Sequence, residues 1–234
     1  MNEINKIAKK NNIKVIEDAA QALGGKYDRK NIGTLSDFTI FSFQAIKHIT
    51  TGDGGMLCIK DKKLIEKAKR IRWFGIDRRK KQLGIWKNDI KEIGYKYQLT
   101  DLGASIGYQS LIDFKKIISH RLKIYDIYLK NLSKNPNLVC IHDYDFKKKC
   151  AAWLFTILTK KKDYLQKKLR LSKIETNQVH FRNDRYSIFK NFIKNKKFPN
   201  MDIVEKKYLV LPVHTKMTIA DAYYVANTVN KILS

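Results

Sequence analysis

A serine, a lysine and a glycine-rich turn occur close together in the segment from Ser36 to Gly55, S-D-F-T-I-F-S-F-Q-A-I-K-H-I-T-T-G-D-G-G. Ser42 interrupts an otherwise apolar or β-favouring run from Phe38 to Phe43, which is typical of a strand buried on both faces of a sheet. The glycines of the Thr-Thr-Gly-Asp-Gly-Gly turn allow the backbone to pass close to a bound group. A second strand is predicted to follow at once, from Met56 to Lys60.

Lys47 lies just beyond the carboxyl end of this predicted strand, where open α/β sheets place their ligands. In a chain with 48 lysine and arginine residues, a single lysine is most often a solvated surface cation. A lysine at a sheet edge can instead be desolvated, which lowers its pKa and frees its amine to react with an aldehyde cofactor. The position of Lys47 favours this second interpretation without excluding the first.

A carboxylate ends another predicted strand, Lys14 to Asp18, upstream of this segment. Because both strands are expected to end at the same edge of the sheet, Asp18 and Lys47 should converge there. Pyridoxal phosphate (PLP) acts as an electron sink when its ring nitrogen stays protonated, and a neighbouring aspartate holds that proton. Asp18 is therefore a candidate partner for such a cofactor.

Three long segments resemble a known family: V-I-E-D-A-A-Q-A-L-G, G-T-L-S-D-F-T-I-F-S-F-Q-A-I-K-H-I-T-T-G-D-G-G and E-I-G-Y-K-Y-Q-L-T-D-L-G-A-S-I-G. They look like the DegT/DnrJ/EryC1/StrS family of PLP-dependent sugar aminotransferases, in the same order and with similar spacing. The stretch from Val210 to His214 extends the resemblance over essentially the whole chain. It implies an α/β protein with the PLP-dependent transferase fold of aspartate aminotransferase type, whose large-domain sheet is incomplete and is followed by a C-terminal α+β small domain.

The resemblance also implies roles for individual residues. Lys47 would hold the cofactor covalently and act as general acid and base, and Asp18 would contact the pyridine nitrogen. Gln21 would lie near the cofactor ring and its phenolic oxygen, and Ser42 would donate a hydrogen bond to the cofactor phosphate. His180 matches a family segment that approaches the sugar substrate, although a histidine at a strand end is more often an ordinary surface or core residue.

The chain departs from the family at Gly94 to Gln98, which reads G-Y-K-Y-Q where the family usually has G-Y-N-Y-R. In the family, the asparagine reaches the cofactor phosphate of the neighbouring subunit and the arginine helps to hold a carboxylate of the substrate or amino donor. Lys96 can still bind phosphate as a point charge. Gln98 has no guanidinium group to form a bidentate contact, so the recognition of the amino donor is less defined than cofactor binding.

The composition bounds the remaining possibilities. With 234 residues, 44% of them hydrophobic and 11% aromatic, the chain can fill a core. Its net charge of +26 favours anionic partners, but the charge is spread along the sequence without a nucleic-acid-binding motif, so nucleic acid is not expected as the partner. A basic surface is also compatible with a nucleotide-linked sugar.

Other features indicate the compartment and exclude some site types. No apolar stretch is long enough for a transmembrane helix and Met1 to Asn12 is polar, so we expect a cytoplasmic protein without membrane contact. The sequence has three widely spaced cysteines, Cys58, Cys140 and Cys150, which favours reduced thiols. The histidines show no metal-ligand spacing, so we expect no metal site.

Thr100 is predicted to cap one long helix, and a domain change is expected within it near residue 116. Residues 1–115 would form the C-terminal part of the PLP-binding large domain, and residues 116–234 the connecting helix and small domain. Gly103 and Gly107 lie on one face of this helix. Each glycine costs about 1 kcal/mol relative to alanine, which indicates a close backbone approach.

The elements predicted beyond this helix are short. Strands are expected from Leu138 to His142, from Trp153 to Thr159 and from Gln178 to Phe181, with a helix from Asp163 to Leu171. Thr218 and Asp221 form a predicted capping box for the terminal helix. The apolar face of that helix is predicted to contain Ile219, Tyr223, Ala226, Val229 and Ile232.

These observations predict an aminotransferase that uses PLP to transfer nitrogen from a donor such as glutamate to a keto group of a nucleotide-linked deoxysugar, for amino-sugar and polysaccharide biosynthesis. The resemblance implies a homodimer. Family members are usually longer at the N-terminus, where the phosphate-binding turn and several central strands lie. The alternative is therefore a truncated non-catalytic remnant, or one half of a split enzyme that needs a separate N-terminal fragment.

Overall fold

A computed structural model describes residues 1–87, 89–142, 148–194 and 196–234. The described chain forms two compact units. The first contains Met1–Lys115 and residues 148–151, and the second contains residues 116–142 and Ala152–Ser234. The functional division at residue 116, into a cofactor-binding domain and a small domain, stays a prediction.

The strands are short and the helices are of moderate length. The strands are β1 (Ile16–Asp18), β2 (Lys26–Tyr27), β3 (Lys30–Asn31), β4 (Phe38–Ser42), β5 (Gly55–Ile59), β6 (Val139–Cys140), β7 (Lys148–Lys149), β8 (Phe155–Leu158) and β9 (Tyr208–Leu211). The helices are α1 (Asn2–Lys10), α2 (Ile65–Arg72), α3 (Arg78–Gln82), α4 (Asp101–Ile112), α5 (Phe114–Leu132), α6 (Lys162–Leu171), α7 (Pro199–Glu205) and α8 (Ile219–Leu233). None of the helices in the described part of the chain is long and apolar enough to cross a membrane.

The main sheet of the first unit has the strand order β1-β4-β5. Strand β4 runs parallel to β1 and antiparallel to β5, as expected for a partly parallel α/β sheet. Asp18 pairs with Ile40 across the parallel ladder. Since side chains alternate along a strand, Ser42, two residues beyond Ile40, lies on the same face of the sheet as Asp18. A smaller sheet of the same unit has the order β3-β2-β7.

The prediction that β4 is buried on both faces is wrong. Thr39 and Phe41 are only 1% and 6% exposed, but Ile40 is 42% exposed. Ile16 and Leu57, on the same face as Ile40, are 66% and 49% exposed. An apolar run predicts burial only where another layer covers it, and in the described part of the chain this face is open to solvent.

The second unit is built on an antiparallel sheet with the order β6-β8-β9. Its core brings together side chains from the sheet and from α5, α6 and α8, and fully buried members include Tyr128, Phe155, Leu165 and Val229. Tyr128 and Phe155 make an edge-to-face contact with their ring centroids 5.1 Å apart. This is a preferred geometry for aromatic pairs, and it joins α5 to the sheet.

The start of the terminal helix was predicted correctly. Thr218 Oγ1 accepts a hydrogen bond from Asp221 N at 3.1 Å, and Thr218 N donates to Asp221 Oδ2 at 2.7 Å, which completes the capping box. The predicted apolar face was partly wrong. The buried residues of α8 are Ala222, Val225, Ala226, Val229 and Leu233, whereas Tyr223 is 47% exposed. Tyrosine carries a polar tip, which allows this position to face solvent.

Two further predictions need correction. The long helix after Thr100 is interrupted at Asp113, between α4 and α5, and aspartate is a weak helix former because its side chain competes for backbone groups. The predicted strand from Gln178 to Phe181 is absent from the described residues. Asn177 makes a single bridge to Val210, and His180 then adopts a φ of 74°, which is incompatible with an extended strand.

The cysteines agree with the prediction of thiols. Among the described residues, Cys58, Cys140 and Cys150 form no disulfide bond. Cys140 is buried in the core of the second unit, and this burial raises the pKa of its thiol to about 11. A thiol in this environment stays protonated and packs as a small apolar group.

Candidate active site

Asp18 and Ser42 end two neighbouring strands of the first unit on the same face of the sheet. Asp18 is exposed, and its Oδ1 accepts a hydrogen bond from Ala20 N at 3.0 Å. Ser42 Oγ accepts a weak hydrogen bond from Gln44 N at 3.3 Å. This bond uses a lone pair of the Ser42 hydroxyl and leaves its proton available for donation.

Lys47 follows in a turn, in which its backbone N–H donates to Gln44 O at 2.9 Å. Its side chain is partly buried. This burial lowers the pKa of the Lys47 amine, while the negative charge of Asp18 acts in the opposite direction. Asp18 and Lys47 therefore lie close enough to interact electrostatically, as predicted from the two strand ends. A lowered pKa favours the neutral amine, which is the nucleophilic form.

The glycine-rich turn after Lys47 folds back onto the end of β4. Phe43 N donates to Gly54 O at 2.8 Å, and Thr51 N donates to Phe43 O at 2.9 Å. Thr50 Oγ1 donates to Phe43 O at 3.2 Å and accepts from Gly52 N at 2.9 Å. Gly52 has a φ of 84°, which other residues rarely adopt. These bonds close the loop that carries Lys47.

Helix α4 braces this loop through its glycines. A Cβ at Gly107 would lie 2.6 Å from Thr51 Cγ2, and a Cβ at Gly103 would lie 3.3 Å from Thr51 O. The backbone of the helix therefore approaches Thr51 directly, which confirms the close approach predicted from the glycine spacing. Thr100 caps the helix as predicted and accepts a hydrogen bond from Gly103 N at 3.2 Å.

His48, next to Lys47, was given no role from the sequence. In the structure it is only 5% exposed, and its Nε2 lies 2.6 Å from Ala151 O. This contact ties the Lys47 turn to a segment 103 residues away within the same unit. A histidine that follows a lysine carries no local signal of such a distant partner, so the sequence alone could not reveal it.

Glu17, which precedes Asp18, was also overlooked. Its Oε2 accepts hydrogen bonds from Ser36 Oγ at 3.1 Å and from Thr39 Oγ1 at 3.4 Å. Glu17 lies on the opposite face of the sheet from Asp18 because successive side chains alternate. It joins β1 to β4 on the buried face, while Asp18 faces the candidate site. The alternation of side chains along a strand could have predicted these different positions of Glu17 and Asp18 from the sequence.

The other predicted cofactor residues are Gln21 and Lys96. Gln21 is exposed in the turn after β1. Lys96 is exposed and makes a backbone bridge with Trp73. With the Gln98 amide oxygen directed towards these two residues, it accepts from Trp73 Nε1 and from Lys96 Nζ, each at 3.2 Å. The contacts of the described residues do not connect Lys96 with Asp18, Ser42 or Lys47.

His180 belongs to the second unit, where it lines a cavity of about 890 Å³ with mostly apolar walls. Its ring centroid lies 6.3 Å from that of Trp153. The structure therefore places His180 in the lining of a cavity large enough for a small organic molecule. The assignment of His180 to the substrate stays a prediction.

Arg182 fixes the backbone that follows His180. Its guanidinium group is buried and donates to Asp184 at 2.9 and 2.6 Å, to Asp202 at 2.5 Å and to Glu205 at 3.3 Å. The hydrogen bonds to Asp184 and Asp202 raise the pKa of Arg182. This network ties the cavity wall to α7. Its acidic members are distant in sequence from Arg182 except for Asp184, so the pattern was not predicted.

Comparison with known proteins shows which family the chain matches. Residues 1–230 match the DegT/DnrJ/EryC1/StrS aminotransferase family. The chain is 34% identical, over its whole length, to the UDP-4-amino-4,6-dideoxy-N-acetyl-beta-L-altrosamine transaminase of Campylobacter jejuni, and 31% identical to the GDP-perosamine synthase of Escherichia coli O157:H7. It spans 62% of the length of each of these relatives.

The fold is shared with a solved structure. The structure of AtS13 from Actinomadura melliaura superposes on 98% of this chain with a TM-score of 0.89 and 28% sequence identity, and 62% of that protein is covered. The predicted fold class is therefore confirmed. The strand ends that carry Asp18 and Ser42, the lysine turn and the match over residues 1–230 together show that this chain belongs to the DegT/DnrJ/EryC1/StrS aminotransferase family.

Proposed function

We propose that this chain carries the lysine-bearing part of a PLP-dependent aminotransferase that acts on a nucleotide-linked keto-deoxysugar. The observation that carries this proposal is the partly buried Lys47 at the strand edge, whose pKa is lowered by burial and which interacts with Asp18. The names of the relatives from Campylobacter jejuni and Escherichia coli support a nucleotide sugar as the substrate class and amino-sugar biosynthesis as the pathway.

The residues of the first unit suit PLP in three respects. Lys47 offers an amine whose pKa is lowered by burial, for a covalent bond to the cofactor aldehyde. Asp18 Oδ2 makes no hydrogen bond among the described residues, so it is available to the pyridine nitrogen. Ser42 retains a hydroxyl proton for the phosphate. Gln21 would contact the ring, and Lys96 would bind a phosphate as a cation.

PLP, when bound, supplies the electron sink that stabilises negative charge on the α-carbon of the amino donor. The work of the protein is then the handling of protons. Lys47 would hold the cofactor, and its amine would accept the proton from the donor α-carbon and later release it. The partial burial of Lys47 lowers its pKa towards the range in which an amine can both accept and release a proton at neutral pH.

We propose glutamate as the amino donor and His180 as a contact to the sugar. The cavity beside His180 is mostly apolar and is held in shape by Arg182, which supports a binding role for this part of the second unit. Gln98, where the family usually has arginine, weakens the case for a carboxylate contact at that position.

We also propose that the active protein is a cytoplasmic homodimer and that further polypeptide covers the open face of the β1-β4-β5 sheet. Ile16, Ile40 and Leu57 expose apolar surface on this face, and exposed apolar surface of this kind marks an interaction site. The specific alternative is that the 234-residue chain is a remnant, or one half of a split enzyme, that lacks chemistry until a separate N-terminal fragment binds.

The experiment that tests the proposed chemistry is reductive trapping. The purified chain is incubated with PLP, reduced with borohydride, digested and examined by mass spectrometry. We expect pyridoxyl label on Lys47, and loss of that label in Lys47→Ala but not in Lys67→Ala, which removes an exposed lysine of α2. Adding glutamate before borohydride should reduce the label. A folded chain labelled equally at many lysines would contradict the proposal and favour the remnant.

A further inference from the structure

A cavity of about 170 Å³ in the first unit is strongly cationic. It lies beside α2 and α3, and its lining includes five lysine or arginine side chains, two carboxylates, Trp73 and Gln98. Its size is well below the roughly 300 Å³ of the smallest pockets for whole organic ligands. It therefore suits one charged group of a larger molecule.

The carboxylates near the cavity neutralise only part of this charge. Of the two carboxylates in the lining, Glu66 pairs with Lys69 at 2.9 Å, and Asp77 accepts hydrogen bonds from the backbone N–H groups of Arg79 and Lys80. Outside the lining, Glu92 pairs with Arg70 at 2.6 Å. Among the described residues, Arg72, Arg78 and Arg79 make no ion pair. The positive charge of the cavity is thus concentrated in guanidinium groups, which can form two parallel hydrogen bonds to an anion.

Several contacts hold Trp73 and its neighbours in place in the wall of the cavity. The guanidinium carbon of Arg78 lies 5.2 Å from the centroid of the Trp73 ring, within the range of a cation–π contact. Tyr97 N donates to Arg72 O at 2.9 Å, which holds the segment with Gln98 beside α2. Gln98, oriented as above, accepts from Trp73 Nε1. These contacts limit the freedom of Trp73 and Arg78.

We propose that this cavity binds phosphate, and specifically the diphosphate group of the nucleotide-linked sugar, through Arg72 and Arg78. The choice of substrate rests on the proposed function, whereas the anion site rests on the cavity itself. A planar guanidinium group matches the geometry of phosphate oxygens better than an ammonium group does. Arg79 adds a third guanidinium charge to the lining.

The test uses inorganic pyrophosphate as the probe and the whole 234-residue chain. Binding is measured by calorimetry in about 0.15 M salt, where distant surface charges are screened. We expect Arg72→Gln and Arg78→Gln each to weaken binding about tenfold, because each removes one charge-assisted contact. Arg170→Gln, which removes an exposed arginine of α6 in the second unit, should leave the affinity unchanged.

Two additional variants separate a specific site from general attraction to a cationic protein. Arg78→Lys keeps the charge but loses the bidentate geometry, so we expect affinity between those of the wild type and Arg78→Gln. A change in tryptophan fluorescence on addition of pyrophosphate should disappear in Trp73→Phe. Equal affinity in all arginine variants, or binding of glutarate as tight as that of pyrophosphate, would overturn the proposal.

The binding of pyrophosphate to this cavity is independent of the cofactor chemistry at Lys47. Lys47→Ala should bind pyrophosphate like the wild type. If Lys47 fails to take the pyridoxyl label while pyrophosphate binding depends on Arg72 and Arg78, the proposed function fails and the anion site remains. If Lys47 is labelled and the arginine variants bind pyrophosphate like the wild type, the anion site fails alone.

Discussion

Thr51 and Gly107 are in direct contact, since a Cβ at Gly107 would lie 2.6 Å from Thr51 Cγ2. Gly107→Ala should therefore destabilise the protein by about 1–3 kcal/mol, as expected for overpacking, although alanine is the better helix former. Urea unfolding followed by circular dichroism measures this change. Ser105→Ala, at an exposed position of α4, is the control. If Gly107→Ala and the wild type have the same free energy of unfolding, the loop at Thr51 moves to accommodate the added methyl group without destabilising the protein.

The burial of Lys47 should affect stability with a definite pH dependence. Its folded-state pKa is lowered by burial, so the folded protein bears a penalty for the charged amine below that pKa. The penalty disappears as the pH rises through the folded pKa towards the unfolded value of 10.5. Lys47→Met should therefore stabilise the protein at pH 7, and this gain should shrink as the pH approaches 10.5.

The loss of any lysine reduces the net charge of +26, which alone can stabilise a compact state. Lys67→Met, at an exposed site of α2, controls for this general effect. The quantity to compare is the difference in urea midpoint between the two variants at several pH values. A difference that does not change with pH would contradict the inferred burial penalty at Lys47.

Arg182 should stabilise the second unit through its carboxylate partners. Arg182→Gln leaves Asp184, Asp202 and Glu205 without their shared cation, so we expect a lower melting temperature at pH 7. Arg182 hydrogen bonds lower the pKa of Asp184 below its ordinary value of 3.8. The stabilisation is thus present above 3.8 and is lost as the pH falls through the folded pKa.

Thermal unfolding at pH 7, 5 and 3 checks this expectation. The difference in melting temperature between Arg182→Gln and wild type should narrow at the lowest pH, where Asp184 begins to protonate. Arg170→Gln, which lies on α6 and has no ion pair among the described residues, is the control. If this difference in melting temperature stays constant from pH 7 to pH 3, the destabilisation by Arg182→Gln comes from lost packing and not from lost ion pairs.

Cys140 should resist alkylation in the folded protein. Its thiol is buried, and its pKa is raised to about 11, so the reactive thiolate is scarce at pH 8. Cys150 is exposed and should react first with iodoacetamide. Mass spectrometry of timed samples, with and without urea, measures both rates. Rapid alkylation of Cys140 without urea would show that the core of the second unit opens readily.

Local features of the fold were predictable because their signals lie within a few residues. The hydroxyls of Thr100 and Thr218 cap the helices that follow them, and strand patterns placed Asp18 and Ser42 at one sheet edge. The spacing of Gly103 and Gly107 predicted a close approach, although it did not identify the partner. Each of these signals reflects a rule of backbone geometry or hydrogen bonding.

Other features depend on contacts that the sequence does not encode locally. The contact of His48 with Ala151 joins residues 103 positions apart. Arg182 donates hydrogen bonds to Asp202 and Glu205 of α7. The exposure of Ile40 depends on which layer covers its sheet face, which an apolar run does not specify. The cationic cavity beside Trp73 is lined by side chains from residues 66–82 and by Gln98, and the charges in a sequence do not specify which side chains will share a cavity.

The small strand β7 has a consequence for the order of folding. Residues 148–151 belong to the first unit, although residues 116–142 and 152–234 belong to the second. In this segment Lys149 pairs with Lys26 of β2 and Ala151 O contacts His48. No single cut of the chain separates the two units. During synthesis, the lysine turn can gain its distant anchor only after the ribosome has passed residue 151, when all residues of α5 have already been synthesised.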